Sequence, residues 1–177
     1  MDLIELINKV PTVAAWHTGL REQAPRQLLT GLAGSAKTLA ITGVYQAFQK
    51  QVIVVTPNLY YTNQLAEDLR NVTEDVYVFP VDEVLSAEMA FSSPEAREER
   101  VAALNAVSQG KTGIYVLPVA ALRKYLPEKK TWLANQFQWQ IGDEIDLERL
   151  PQQLILMGYE RQSMIGKPGE FSIRGSI

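Results

Sequence analysis

Residues 30–39, TGLAGSAKTL, lie between a short apolar run, QLL at 27–29, and a helix-like run, LAITGVYQAF at 39–48. A glycine-bearing turn in that setting is where a phosphate-binding loop sits. In such a loop backbone amides surround the phosphates, a lysine reaches the β- and γ-phosphates, and a Ser or Thr hydroxyl holds Mg²⁺. Against the pattern G-x-x-x-x-G-K-[ST], Gly31, Lys37 and Thr38 fit, and Ala36 stands where the second glycine belongs. The backbone passes nearest the phosphate at that position, so a β-carbon there narrows the nest. The stretch therefore predicts an α/β domain with a degenerate, inactive phosphate loop at Gly31, Gly34, Ser35, Lys37 and Thr38.

The rest of the composition fits a globular protein. With 177 residues, 46% of them hydrophobic, the chain is long enough for one ordinary domain and part of a second. The net charge of -3 comes from 17 basic and 20 acidic residues spread along the chain, so no polybasic stripe points to non-specific nucleic-acid binding. The absence of cysteine excludes a disulfide framework and a thiolate metal site, and fits a reducing compartment. The start, MDLIELINKV, carries Asp2 and Glu5 inside its apolar run, unlike a secretory signal, and no run approaches membrane-spanning length. The expectation is a cytoplasmic protein without a membrane partner.

Short apolar runs alternate with helical patterns. The expected strands are 27–30 (QLLT), 51–56 (QVIVVT), 76–79 (VYVF) and 113–117 (GIYVL). The clearest helix is SSPEAREERVAALNAVSQG at 92–110. In it Ser93 caps, Pro94 takes the first helical position, Glu95 favours the positive end and Gly110 stops the run. Its apolar residues Val101, Ala103, Leu104 and Val107 predict one packed face. The alternation predicts a parallel sheet covered on both faces over residues 1–122. A different composition begins at Arg123, with Arg123, Lys124, Lys129 and Lys130, then a helix ending near Gly158. The tail then reads as two strands across the turn Lys167-Pro168-Gly169, and antiparallel pairing would let Arg161 and Arg174 face one partner. Residues 123–177 are thus expected to open a smaller second domain that continues past Ile177.

Several residues invite chemistry. Hydrolysis needs an acidic group at the end of a strand to manage Mg²⁺ and water, and Asp82 and Glu83 in VYVFPVDE stand there. Pro80 favours the alternative, a solvated loop after the strand. His17, the single histidine, has no metal-ligand or triad spacing and reads as packing. Trp16, Trp132 and Trp139 read as buried area, because no basic residues interleave with them. The four basic residues from Arg123 to Lys130, with Glu128 among them, read as a solvated connection and not as a DNA grip. Arg161 and Arg174 on a strand pair read either as salt-bridge partners of Glu160 or Glu170 or as bidentate contacts to a partner's carboxylates.

Five blocks together resemble the N-terminal part of the bacterial transcription-repair coupling factors (Mfd). They are GLAGSAKTL, TPNLYYTNQLAEDL, FPVDEVLSAEMAFSSPEAREERVAAL, VLPVAALRKYLP and MGYERQSMIGKPGEFSIRGSI. The last block is the most specific and is shared in outline with the excision-repair protein UvrB. The resemblance implies a helicase-like α/β subdomain over 1–122 followed by part of a smaller α+β inserted domain, similar to the second domain of UvrB, over 123–177. It implies that this part carries no cofactor, with ATP and Mg²⁺ used by motor domains elsewhere in an ATP-dependent DNA translocase. RNA polymerase and DNA are implied as partners of those other domains. For this chain it implies recruitment of the damage-recognition protein UvrA through Arg161 and Arg174, with Phe171 at the place of an apolar contact. The chain departs from UvrB at Ala36, at Ser172, where UvrB has a further arginine, and in lacking the aromatic hairpin that grips damaged DNA. The alternative is a UvrB-like, ATP-binding helicase subdomain acting directly on damaged DNA.

Overall fold

The computed structural model describes residues 3–81 and 93–174, which form two compact units dividing between Lys124 and Tyr125. Asp82 and Glu83 lie outside the described residues. The first unit begins with helices α1 (Leu3–Asn8), α2 (Pro11–Arg21) and α3 (Ser35–Phe48). Strand β1 (Gln51–Thr56), helix α4 (Leu59–Arg70), strand β2 (Val76–Val78), helix α5 (Pro94–Ser108) and strand β3 (Gly113–Pro118) follow, and a 3₁₀ turn over Val119–Arg123 closes the unit.

The three strands form one parallel sheet in the order β1-β3-β2. β3 runs between the other two, with Ile114 opposite both Val52 and Val76 and Val116 opposite both Val54 and Val78. A central parallel strand meets protein on both faces, which is why GIYVLP is almost continuously buried. The core gathers Tyr45 from α3, Ala66 and Leu69 from α4, and Val76, Val78, Ile114 and Val116 from the sheet. At the strands' N-terminal ends the Tyr45 hydroxyl donates to Asp75 at 2.6 Å, and the Tyr77 and Tyr115 rings stack at 4.9 Å. Burial, then the bond to Asp75, raises the Tyr45 pKa. A β-carbon on Gly113 would meet the Tyr77 ring at 2.7 Å, so this close approach requires glycine.

Local signals account for the helix ends. Asn58 caps α4 by accepting from the Tyr61 amide at 3.1 Å, and Ser93 caps α5 by accepting from the Ala96 amide at 3.2 Å. Gly110 leaves α5 at φ 75°, and the Lys111 amide closes onto the Ala106 carbonyl at 2.9 Å.

Four expectations need correction. Residues 27–30 form no strand; Leu28 is 88% exposed and its backbone pairs with nothing in the sheet. On α5 the buried apolar residues are Ala103, which belonged to the expected face, and Ala106, which did not, while Val101 and Val107 point outward, because alanines let the helix approach closely. The sheet is not covered on both faces along β1, where Ile53 is 63% exposed and Val52 and Val54 turn inward. In the second unit the tail strands pair parallel, not antiparallel.

That unit holds helices α6 (Lys129–Ala134) and α7 (Leu150–Leu156) and the two-residue strands β4 (Glu160–Arg161) and β5 (Glu170–Phe171). Phe171 is its one buried apolar side chain among the described residues.

His17 on α2 is buried against Phe48 of α3, with ring centroids 5.9 Å apart, and its Nε2 has no partner among the described residues. Burial first, and the nearby Arg21 second, lower its pKa. The unfolded chain therefore binds a proton at a higher pH than the folded one, so stability is lost as pH falls through the unfolded value near 6.5. Urea unfolding at about pH 7.5 and about pH 5.5 should show a larger loss for the wild type than for His17→Gln. Equal losses would exclude this role for His17.

Candidate functional site

The loop before α3 is built by two glycines in left-handed backbone, Gly31 at φ 83° and Gly34 at φ 53°. A phosphate nest needs successive amides free and converging on one point. Here the Ala36 amide donates to the Ala33 carbonyl and the Lys37 amide to the Gly34 carbonyl, each at 3.2 Å. Gly34 serves as N-cap without a side-chain bond, and Ser35 begins the helix. The Thr38 hydroxyl is shut from solvent and has no partner among the described residues, while the Thr38 carbonyl accepts from Thr42 at 3.0 Å.

Lys37 is exposed and stands at a cavity of about 490 Å³ with Trp16, Leu29, Leu32 and Ile41 in its walls. Gln27 lines it too, oriented so that its amide nitrogen donates to the Trp16 carbonyl at 3.3 Å and its oxygen accepts from the Leu20 amide at 3.2 Å. Both ends of that amide are thus spent on α2. The loop residues predicted from sequence are together in space, but the Lys37 amide, like that of Ala36, is bonded back into the chain and the Thr38 hydroxyl is buried.

The second candidate is the β4-β5 ribbon. Glu160 lies opposite Glu170 and Arg161 opposite Phe171. The Glu160 amide donates to the Gly169 carbonyl and the Gln162 amide to the Phe171 carbonyl, both at 2.9 Å. Arg161 is exposed, and its guanidinium has no hydrogen bond or ion pair among the described residues. Arg174 is also exposed and donates through Nη2 to the Ser163 carbonyl at 2.7 Å. The Ser172 hydroxyl donates to the same carbonyl at 3.3 Å. Phe171, 8% exposed, supports the ribbon from within and offers little ring for an apolar contact.

Among the described residues neither arginine forms a salt bridge with Glu160 or Glu170, and Glu170 pairs with Lys167 at 3.8 Å. Glu170 also accepts from the Gly166 and Lys167 amides, a role missed in the sequence. The signal for it was an acidic residue directly after a Pro-Gly turn, whose amides need an acceptor. The basic residues Arg123, Lys124, Lys129 and Lys130 are all exposed, two on each side of the division between the units. Among the described residues there is no cluster of three or more metal-ligating side chains and no helix long and apolar enough to cross a membrane.

Against known proteins, residues 137–177 match the UvrB interaction domain. The chain is 40% identical over 161 residues to the transcription-repair-coupling factor of Bacillus subtilis (strain 168), covering 90% of this chain and 14% of that protein. Transcription-repair-coupling factors of Staphylococcus aureus, strains RF122 and NCTC 8325, are 36% identical over 152 residues, covering 85% of this chain and 13% of theirs. The chain thus spans 13% to 14% of the length of these relatives. The resemblance drawn from the five sequence blocks holds: an α/β unit with a parallel sheet leads into a UvrB interaction domain.

The unpaired Thr38 hydroxyl is itself testable. Replacing a buried hydroxyl that lacks a partner with a methyl group removes a desolvation cost of about 1 kcal/mol. Thr38→Val should therefore be as stable as the wild type or more stable by up to that amount, read from the urea midpoint at unchanged slope. A clear loss would mean that the hydroxyl makes a bond in the folded protein.

Proposed function

We propose that this chain is a non-catalytic recruitment module that docks the damage-recognition protein UvrA, bringing excision repair to stalled transcription. The match to the UvrB interaction domain supports the partner class. The observation that carries the reading is the ribbon. Among the described residues Arg161 leaves a whole guanidinium unspent, and Arg174 spends one nitrogen on Ser163, so planar cationic donors remain for a partner's carboxylates. Residues 123–177 act as the UvrA-binding inserted domain and residues 1–122 as its helicase-like support. RNA polymerase and DNA are partners of other parts of the longer relatives, where ATP and Mg²⁺ are used, and the setting is the cytoplasm.

The loop supports the non-catalytic part of the reading. Two amides that would cradle a phosphate are bonded within the chain, and the hydroxyl that would hold Mg²⁺ is buried, so the residues present do not fit a Mg²⁺-nucleotide. A second reading, an ATP-binding helicase-type subdomain acting on damaged DNA, draws on Lys37 alone, exposed at the cavity.

Steady-state phosphate release, with and without DNA, should stay at background for this chain. Turnover abolished by Lys37→Ala would overturn the non-catalytic reading.

Titration of UvrA should show wild-type binding and a roughly thirtyfold loss for Arg161→Ala or Arg174→Ala, as for central interface arginines. Arg161→Ala should melt as the wild type does, because Arg161 makes no ion pair among the described residues, and Arg174→Ala should lose no more than its one exposed bond to the Ser163 carbonyl, about 1 kcal/mol. Unchanged binding by the double variant would move the interface elsewhere.

A further inference from the structure

We propose that Glu170 is a positioning residue for the UvrA contact: its carboxylate closes the crossover at 162–169 and so sets where the arginines of the ribbon stand. The inference rests on the recruitment reading above. Glu170 is not offered as a group that touches the partner.

Two parallel strands joined by only eight residues cannot rely on a tight hairpin turn, so the connection needs another constraint. Glu170 supplies it. Its Oε2 accepts from the Gly166 amide at 2.8 Å and from the Lys167 amide at 3.2 Å, and Oε1 faces Lys167 Nζ at 3.8 Å. The side chain is 11% exposed although it directly follows the Pro168-Gly169 turn. A carboxylate accepting backbone amides makes charge-assisted bonds, stronger than neutral ones. Gly169, the residue before Glu170, takes the Glu160 amide, so closing the loop at Gly166 and Lys167 also fixes the β4-β5 register. The other side of the crossover is held at the Ser163 carbonyl by Arg174 and Ser172. The connection is therefore tied to β5 and the residues after it at both 163 and 166–167, and Arg174 has a fixed place before any partner arrives. Preorganisation of this kind raises affinity by removing the cost of ordering the loop on binding.

This role predicts a sign that charge alone does not. A surface of carboxylates suited to Arg161 and Arg174 is repelled by Glu170, so simple electrostatics has affinity rise when Glu170 is neutralised. Positioning has it fall when the acceptor is removed, and hold when an acceptor of the same shape replaces it.

The test uses the whole chain with Glu170→Ala and Glu170→Gln, each titrated with UvrA beside a melting curve and amide hydrogen exchange at Gly166 and Lys167. Glu170→Ala should bind about tenfold more weakly, with faster exchange at both amides. Glu170→Gln keeps a carbonyl acceptor and should remain within about threefold of the wild type, with both amides still protected. If both variants bind as tightly as the wild type or more tightly, while the Ala variant exchanges faster, the role of Glu170 is overturned and recruitment stands. If exchange at the two amides does not change in Glu170→Ala, the loop is held by something else and the role is overturned again. A wild-type chain that fails to bind UvrA overturns the recruitment reading, and the positioning role with it.

Discussion

Strand β3 is the constraint on which the first unit depends. A strand paired in parallel on both edges cannot be reached by tight turns from either neighbour, so the chain must leave the sheet and return through α4 and α5. That forces the helices onto the sheet, and the helix faces that meet it, Ala66 and Leu69 in α4 and Ala103 and Ala106 in α5, become the apolar ones. The same pairing draws Asp75, Tyr77 and Gly113 together at the strands' N-terminal ends. There a glycine in β3 admits the Tyr77 ring and a buried tyrosine on α3 finds the Asp75 carboxylate. Polar groups at this end are therefore satisfied by tertiary contacts that exist only once the sheet has formed.

The second unit is held in another way. With Phe171 as its one buried apolar side chain among the described residues, it draws little order from a core and much from local closures. Asp146 accepts from the Glu148 and Arg149 amides at 3.0 and 3.1 Å, Asp143 from the Gln140 amide at 2.7 Å, and Glu170 from two amides in the crossover. Each carboxylate fixes a few residues of backbone and leaves the side chains outside. A surface ordered by its own backbone can display arginines and aromatic rings that a core would otherwise consume. The Phe137 and Trp139 rings, stacked at 5.4 Å and both partly exposed, illustrate the same point. Trp139 is 47% exposed, contrary to the reading of the tryptophans as buried area.

What could be read from the sequence was whatever is decided within a few residues. The strands at 51–56, 76–78 and 113–118 are short β-branched or aromatic runs, and the ends of α5 follow from Ser93, Pro94 and Gly110. What failed depended on distant partners. QLLT has the composition of a strand, but Leu29 turns to the cavity, Leu28 to solvent, and no neighbouring strand takes its amides. The turn at Lys167-Pro168-Gly169 announces a change of direction, yet the strands pair parallel across a crossover in which a carboxylate reaches back to Gly166 and Lys167, and turn residues alone do not encode that pairing. On α5 the sequence reading included Ala103 but took the larger Val101 and Val107 in place of Ala106, although the smaller residues are the ones a close helix-sheet approach selects.

The phosphate loop shows how a motif can persist in outline after its donors have turned away. The Ala36 β-carbon narrows the nest, and the backbone closes it, with the amides of residues 36 and 37 bonded to the carbonyls of residues 33 and 34. Most of the motif then has work that needs no phosphate. Gly31 and Gly34 hold left-handed backbone that a β-carbon would strain. Thr38 is a buried residue of α3 and gives its carbonyl to Thr42, and Gly34 ends the loop where the helix begins. Lys37 alone has no such task, since its side chain is exposed at the cavity and makes no ion pair among the described residues. A glycine-lysine-threonine signature therefore carries two kinds of information. The glycines and threonine report the shape of the turn that leads into the helix, and only free amides beside the lysine report a phosphate.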